Sequence, residues 1–176
     1  MNETFATSSF APIFCAIIDQ LVDVTGLGES QVIPDARDDD DMKLQADQYI
    51  VVRVGAARLG DEWAGAGRNA LVLRREVLCV VWTRMATDRG TSDRQWLVDQ
   101  TRGHIVAEEA VYDALSGFQP KDDDGNWIVK EPLEPQPARA PKRNKNQDRK
   151  LAGWGQSAVS VTVLYALPLP TPDDDS

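Results

Sequence analysis

The chain has 176 residues, 42% of them hydrophobic and 27% charged, which is enough for one domain with a core of its own. Its formal net charge of −9 is the reverse of what a protein needs to bind nucleic acid by neutralising phosphates. No apolar run approaches the roughly 18 residues of a membrane span, and the opening MNETFATSSF carries Glu3 and no basic cluster, so no secretory signal is expected there.

The first expected element is a helix over residues 9–25. Phe10, Ile13, Phe14, Ile17, Ile18, Leu21 and Val22 recur at a 3.6-residue period and make one apolar stripe. Ser8 or Ser9 stands where a cap is needed, Pro12 is tolerated in the first turn, and Gly26 ends the run. A short strand is predicted over Gln31 to Pro34. The run Asp38, Asp39, Asp40 and Asp41 follows; four adjacent carboxylates repel one another and belong in an exposed loop.

Gln48 to Val54 reads as a strand from its β-branched and aromatic content. A glycine-containing loop then leads into a long strand over Ala70 to Arg84. Val77, Cys79 and Val81 fall on one face of it, and Leu78, Val80 and Trp82 on the other. A strand apolar on both faces is expected at the centre of a sheet.

A second helix is predicted from about Asp93 to Ser116. Ser92 and Gln95 have the form of a capping box, Gly103 is a weak point in the middle, and Gly117 is a stop. Asp124-Gly125 then signals a tight turn ahead of a short strand at Trp127 to Val129. Residues 131–150 are Pro-rich and basic without periodicity. The last strand is Gln156 to Leu167, where Val159, Val161, Val163 and Tyr165 alternate with smaller residues. The sum is an α+β fold: a mostly antiparallel sheet packed by two main helices, with a long Pro-rich basic insertion before the last strand. A single domain over 1–176 is expected, with 118–155 as an extended insertion or arm and 168–176 as a flexible acidic tail.

No catalytic, cofactor-binding or metal-binding constellation emerges. His104 is the sole histidine, and with Glu108 at i, i+4 it reads as an ordinary surface pair on a helix. No HExxH, CxxC, GxSxG or phosphate-loop pattern is present. Placing Gly125 at position six of a calcium loop sets Asp122 and Asp124 at three and five and Glu131 at twelve. Position one is then Pro120, which has no side-chain oxygen, so a turn is the better reading. Cys15 and Cys79 sit inside apolar patterns and read as a buried pair of free thiols. The chain is therefore expected not to be an enzyme and to need no cofactor.

One feature stands apart. Residues 138–150, ARAPKRNKNQDRK, hold Arg139, Lys142, Arg143, Lys145, Arg149 and Lys150, six of the nineteen basic residues, with one acid, Asp148. This strap is a net +5 and leaves −14 elsewhere. A nucleic-acid clamp would interleave aromatics with the bases, and none lies between Arg139 and Lys150. A solvated loop, or an arm reaching an acidic neighbour, fits the composition. Trp127 and Trp154 stand at element ends, where large aromatics either anchor an interface or roof a core. The interaction candidates are thus the six strap bases, Trp127, Trp154 and Asp38 to Asp41.

The element order resembles that of the tail-terminator and tail-completion (neck) proteins of long-tailed bacteriophages. It is carried by FAPIFCAIIDQLVDVTGLG, VIPD, DQYIVVRVG, LVLRREVLCVVWTR, DRQWLVDQTRGHIVAEEAVYDAL and WGQSAVSVTVLYAL, across roughly residues 9–167. The resemblance implies a structural virion protein, a ring of usually six copies that caps the finished tail tube and meets the head connector. Its partners would be itself, the tail tube protein and the connector or neck protein. DNA would pass the channel without specific binding, with no membrane involved, and assembly would occur in the host cytoplasm. An acidic lumen would repel DNA. The insertion departs from the compact members and leaves open a second reading as another neck or head-completion adaptor. A small ligand-binding or enzymatic domain is the alternative from a different class.

Overall fold

A computed structural model describes residues 8–34, 46–60, 70–84, 103–142 and 153–168. Its elements are α1 (Phe10–Thr25), β1 (Val32–Pro34), β2 (Gln48–Leu59), β3 (Ala70–Arg84), α2 (His104–Leu115), β4 (Gln136–Ala138) and β5 (Trp154–Pro168). The strands form one five-stranded sheet in the order β1-β2-β3-β5-β4. Only β1 runs parallel to its neighbour, so the fold is α+β with a mostly antiparallel sheet and two helices.

α1 follows its stripe. Ile13, Ile17 and Leu21 are fully buried at i, i+4 and i+8, each contributing about 1.5–3 kcal/mol by burial. Gly26 ends the helix at φ 69°, in the left-handed region, and its N–H reaches Val22 O at 3.2 Å. Ser9 occupies the N-cap position without a side-chain bond to the helix; the hydroxyl of its neighbour Ser8 turns instead to Ser9 O.

β3 is central, as its two apolar faces require. Its register sets Val52, Cys79 and Val159 in one row and Val77 and Val161 in the next, all facing the helices. The opposite face carries a second, smaller cluster of Tyr49, Val51, Val80, Trp82 and Trp154. β2 runs five residues beyond the predicted strand, past a register shift between Val54 and Ala57, and Gly55 to Leu59 are exposed. There β2 is an edge strand on β3, which pairs on its other side with β5.

The helices lie together on one face. Gln20 Nε2 donates to Ala114 O at 3.1 Å, while Thr25 and Leu27 face Val106, Ala107 and Ala110 across a crevice of about 90 Å³. The two axes are therefore antiparallel. No helix among the described residues is long and apolar enough to cross a membrane.

Several expectations need correction. Gly103 has extended backbone, φ −66° and ψ 155°, so α2 starts at His104 and Gly103 is its cap position, not a mid-helix weak point. Residues 93–102, with Gln95, and the capping-box Ser92 lie outside the described residues. Trp127 to Val129 is not a strand: only a single bridge joins Trp127 to Lys121, and the chain bends inward. Ile128, Val129 and Leu133 enter the main core there. Backbone bonds from Gly117 N to Leu133 O (2.9 Å), Leu133 N to Phe118 O (2.8 Å) and Lys130 N to Leu164 O (2.8 Å) hold this part in place. The early part of the insertion is thus woven into the fold. β4 was not expected; its Pro137 lacks an N–H, and an edge position tolerates that. Cys79 is buried but Cys15 is exposed on α1, so the thiols are free without being a buried pair.

Candidate assembly surface

β4 delivers the start of the strap. Arg139 and Lys142 are exposed immediately beyond this edge strand, and Gln156 Nε2 donates to Pro141 O at 3.4 Å, holding the exit against β5. Arg143, Lys145, Arg149 and Lys150 lie outside the described residues, as do Asp38, Asp39, Asp40 and Asp41. The structure therefore brings two of the strap bases to one sheet edge.

The two tryptophans take different positions. Trp154 is 6% exposed and packs on Tyr49 with ring centroids 5.9 Å apart, roofing the smaller cluster. The Arg84 guanidinium stands 5.9 Å from its ring and also reaches Asp47 at 3.9 Å. Both members of that ion pair are more than half exposed, so water screens it. Trp127 is half-buried, with Lys121 Nζ 3.9 Å above its ring.

Beside β4, on the face away from the helices, a polar groove is lined by Arg74, Glu131, Glu134, Gln136, Ser160 and Thr162, among others. It mixes both charge signs and is open to solvent, so it has the character of a contact surface more than of a closed ligand site.

His104 is a correction. It is 8% exposed, not a surface residue, and its Nδ1 lies 3.1 Å from Thr83 Oγ1. Burial holds its pKa below the ordinary histidine value, against an opposing pull from Glu108. Its place in the first turn of α2 acts in the same direction as burial, since the positive end of a helix disfavours a cation. A neutral imidazole bonded to a threonine links the helix layer to the sheet.

Asp122 also has a defined task. Its carboxylate accepts from the N–H groups of Asp124 (3.1 Å) and Asn126 (2.7 Å) and from Asn126 Nδ2 (3.2 Å). These donors, the Asn126 amide first, hold its pKa below the usual carboxylate range. Gly125 completes the turn at φ 83°. The segment is an Asx-type turn whose carboxylate is occupied by amides.

The residues that sequence reading missed are a pair of arginines on β2 and β3. Arg58 and Arg74 are direct cross-strand partners, and both are exposed. Sixteen positions separate them in the chain, and only the register after the bulge shows that they meet.

The fold is thus a small α+β domain whose charged candidates Arg139, Lys142, Arg58 and Arg74 lie on open surfaces, while the polar pair His104–Thr83 is buried. No protein-family model matches the chain, and no curated protein matches it. Among solved structures, the chain superposes on the sheath/tube terminator of an extracellular contractile injection system, PVC, determined by cryo-EM in the extended state. The TM-score is 0.54 at 13% identity, over 97% of this chain and 60% of that one. The chain therefore has a tail-terminator-like fold, and it spans about three-fifths of that terminator's length.

Proposed function

We propose that this protein is a structural, non-catalytic subunit that terminates the tube of a phage tail. It assembles as a ring, of six copies in the family pattern, caps the finished tube, and presents its other side to the head connector. The observation that carries this reading is the match in fold to a sheath/tube terminator over 97% of the chain. The acidic balance agrees with a channel that lets DNA pass without holding it. The strap leaves the sheet edge at Arg139 and Lys142 and serves as a contact to a neighbouring subunit or ring.

Loss of the gene is expected to give tubes of uncontrolled length without heads attached. The protein itself should be found by mass spectrometry in purified particles, and by cryo-EM as a ring at the tube end. Tubes of normal length in the deletion, or particles lacking the protein, would overturn the reading.

A further inference from the structure

The sheet has two outer strands, β1 and β4, and one further open stretch, the end of β2 that β1 does not reach. On each of these another strand could add, if the edge offered free N–H and C=O groups. The register and the backbone bonds identify those groups, because successive residues of a strand turn their amides to opposite sides.

At β1, Gln31 O accepts from Ile50 N at 2.8 Å, so Gln31 and Ile33 turn to β2. Val32 and Pro34 therefore turn outward. Val32 N already donates to Gly28 O at 3.3 Å, and Pro34 has no N–H. On the far side of the sheet, Lys130 N donates to Leu164 O and Ser8 N to Ala166 O, so the even-numbered residues of β5 turn away from β3. Ser160 and Ala158 thus face their partners Gln136 and Ala138, and Pro137 is the β4 residue that faces outward. It too has no N–H, nor has Pro135 two residues before it, and Arg139 two residues after it adds an exposed charge. Both outer strands are only three residues long.

The end of β2 differs. Gly60 N donates to Val72 O, so the even-numbered residues of β3 face β2, Arg58 faces Arg74, and Ala57 and Leu59 turn their amides outward. These two N–H groups remain. The register shift between Val54 and Ala57 breaks the edge just before them, and Arg58 stands between them. A second β2 laid antiparallel on this stretch would set Arg58 directly against Arg58 of the other copy, with Arg74 in the strand behind. Neither arginine makes an ion pair among the described residues, so nothing there neutralises that repulsion.

We propose that the sheet is closed to strand addition at all three places: by proline at β1 and β4, and by the bulge and the paired arginines at the end of β2. The closure keeps free copies from joining edge to edge, and it leaves side chains to make whatever contact copies form. It also gives the Arg58–Arg74 pair, unfavourable within one copy, a task between copies. The inference goes beyond the ring proposed above: it holds for a free subunit, and within a ring it excludes a sheet that runs from copy to copy.

The test places threonine at each edge of the full chain: Pro34→Thr, Pro137→Thr and Arg58→Thr, singly and together. Threonine restores an N–H at the first two positions and removes the charge at the third. The combined variant should aggregate about tenfold faster than the wild type, with a rise in thioflavin fluorescence, because an open edge templates further strands. Arg58→Thr should aggregate faster while its melting temperature stays equal or rises, since a cross-strand repulsion is lost. A variant that only damaged the fold would melt lower. Variants that aggregate as slowly as the wild type would overturn the inference. Hydrogen exchange on the wild type decides even where a variant does not fold. The amides of Ala57, Leu59 and Arg139 should exchange equally fast in dilute and in assembled protein. Protection gained there on assembly would reveal strand addition, and would overturn the closure while leaving a ring standing. Particles without a ring at the tube end would overturn the ring and leave the closure standing.

Discussion

His104 shows how one side chain couples pH to the fold. An unfolded histidine titrates near about 6.5, and burial holds the folded pKa lower. As pH falls through that value the unfolded chain takes up the proton first, so unfolding is favoured. The stability contributed by the neutral imidazole is fully present above the unfolded pKa. It is lost as pH falls from there towards the depressed folded pKa. Urea midpoints should therefore drop between pH 7.5 and 5.5, and His104→Gln, which can keep the bond to Thr83, should flatten that drop. An equal drop in the variant would show that other groups carry it. The two cysteines divide in the same way by environment. Burial pushes the Cys79 thiol up to about 12, so its thiolate is scarce near neutrality, while Cys15 is exposed. A disulfide reagent should titrate one thiol rapidly in the native protein and two after denaturation; two rapid thiols in the native protein would contradict the placement of Cys79.

At the scale of elements, α1 should be the least forgiving helix. Ile17 is fully buried between the helix and the sheet, and Ile17→Ala should cost about 2–5 kcal/mol in equilibrium unfolding. Gly26→Ala asks an alanine to hold φ 69°, a cost of about 1–2 kcal/mol. A value for Gly26→Ala as large as that for Ile17→Ala would mean that the cap, and not the apolar stripe, sets the helix. These elements were legible because their causes are local: a 3.6-residue stripe with a glycine stop, a run apolar on both faces for β3, and alternation on β5. The bounds of β3 agree with the expected Ala70 to Arg84. What was not legible depends on distant partners. β2 runs on past Val54 because β3 offers a ladder for it, although Gly55 and Ala56 carry no strand signal. Residues 127–129 turn inward because Ile128 and Val129 find core space between helix and sheet, a fact absent from their own composition. His104 looked exposed because its pairing with Glu108 is visible in sequence and its pairing with Thr83 is not. Trp127, Trp154 and the strap were singled out by type and position, whereas the Arg58–Arg74 juxtaposition needed the register.

For the whole molecule the question is whether a chain of net charge −9 can pack against copies of itself. Two such bodies about 40 Å apart, the width expected of a domain this size, repel by about 8 kcal/mol in water without salt. At 0.1 M salt the Debye length is about 10 Å, and the repulsion falls to about 0.2 kcal/mol. Contacts at the interface itself are short, and each exposed ion pair is worth about 0.2–1 kcal/mol. Several such pairs outweigh the screened repulsion. Assembly should therefore weaken as salt rises from about 0.1 to 0.5 M, by several-fold to tenfold in dissociation constant. If net repulsion governed instead, added salt would strengthen assembly. The strap enters the same balance, since Arg139 and Lys142 are exposed just past β4 and contribute little to any core. Neutralising Arg139, Lys142, Arg143, Lys145, Arg149 and Lys150 together should weaken assembly and flatten its salt dependence. The melting temperature of the monomer should stay within a degree or two, because surface substitutions away from packed features change stability by about 0.5 kcal/mol or less. Sedimentation velocity across a salt series, paired with a thermal melt of the same samples, separates the cases. Unchanged assembly with a large fall in melting temperature would mean that the strap braces the fold of its own subunit and does not bind a neighbour.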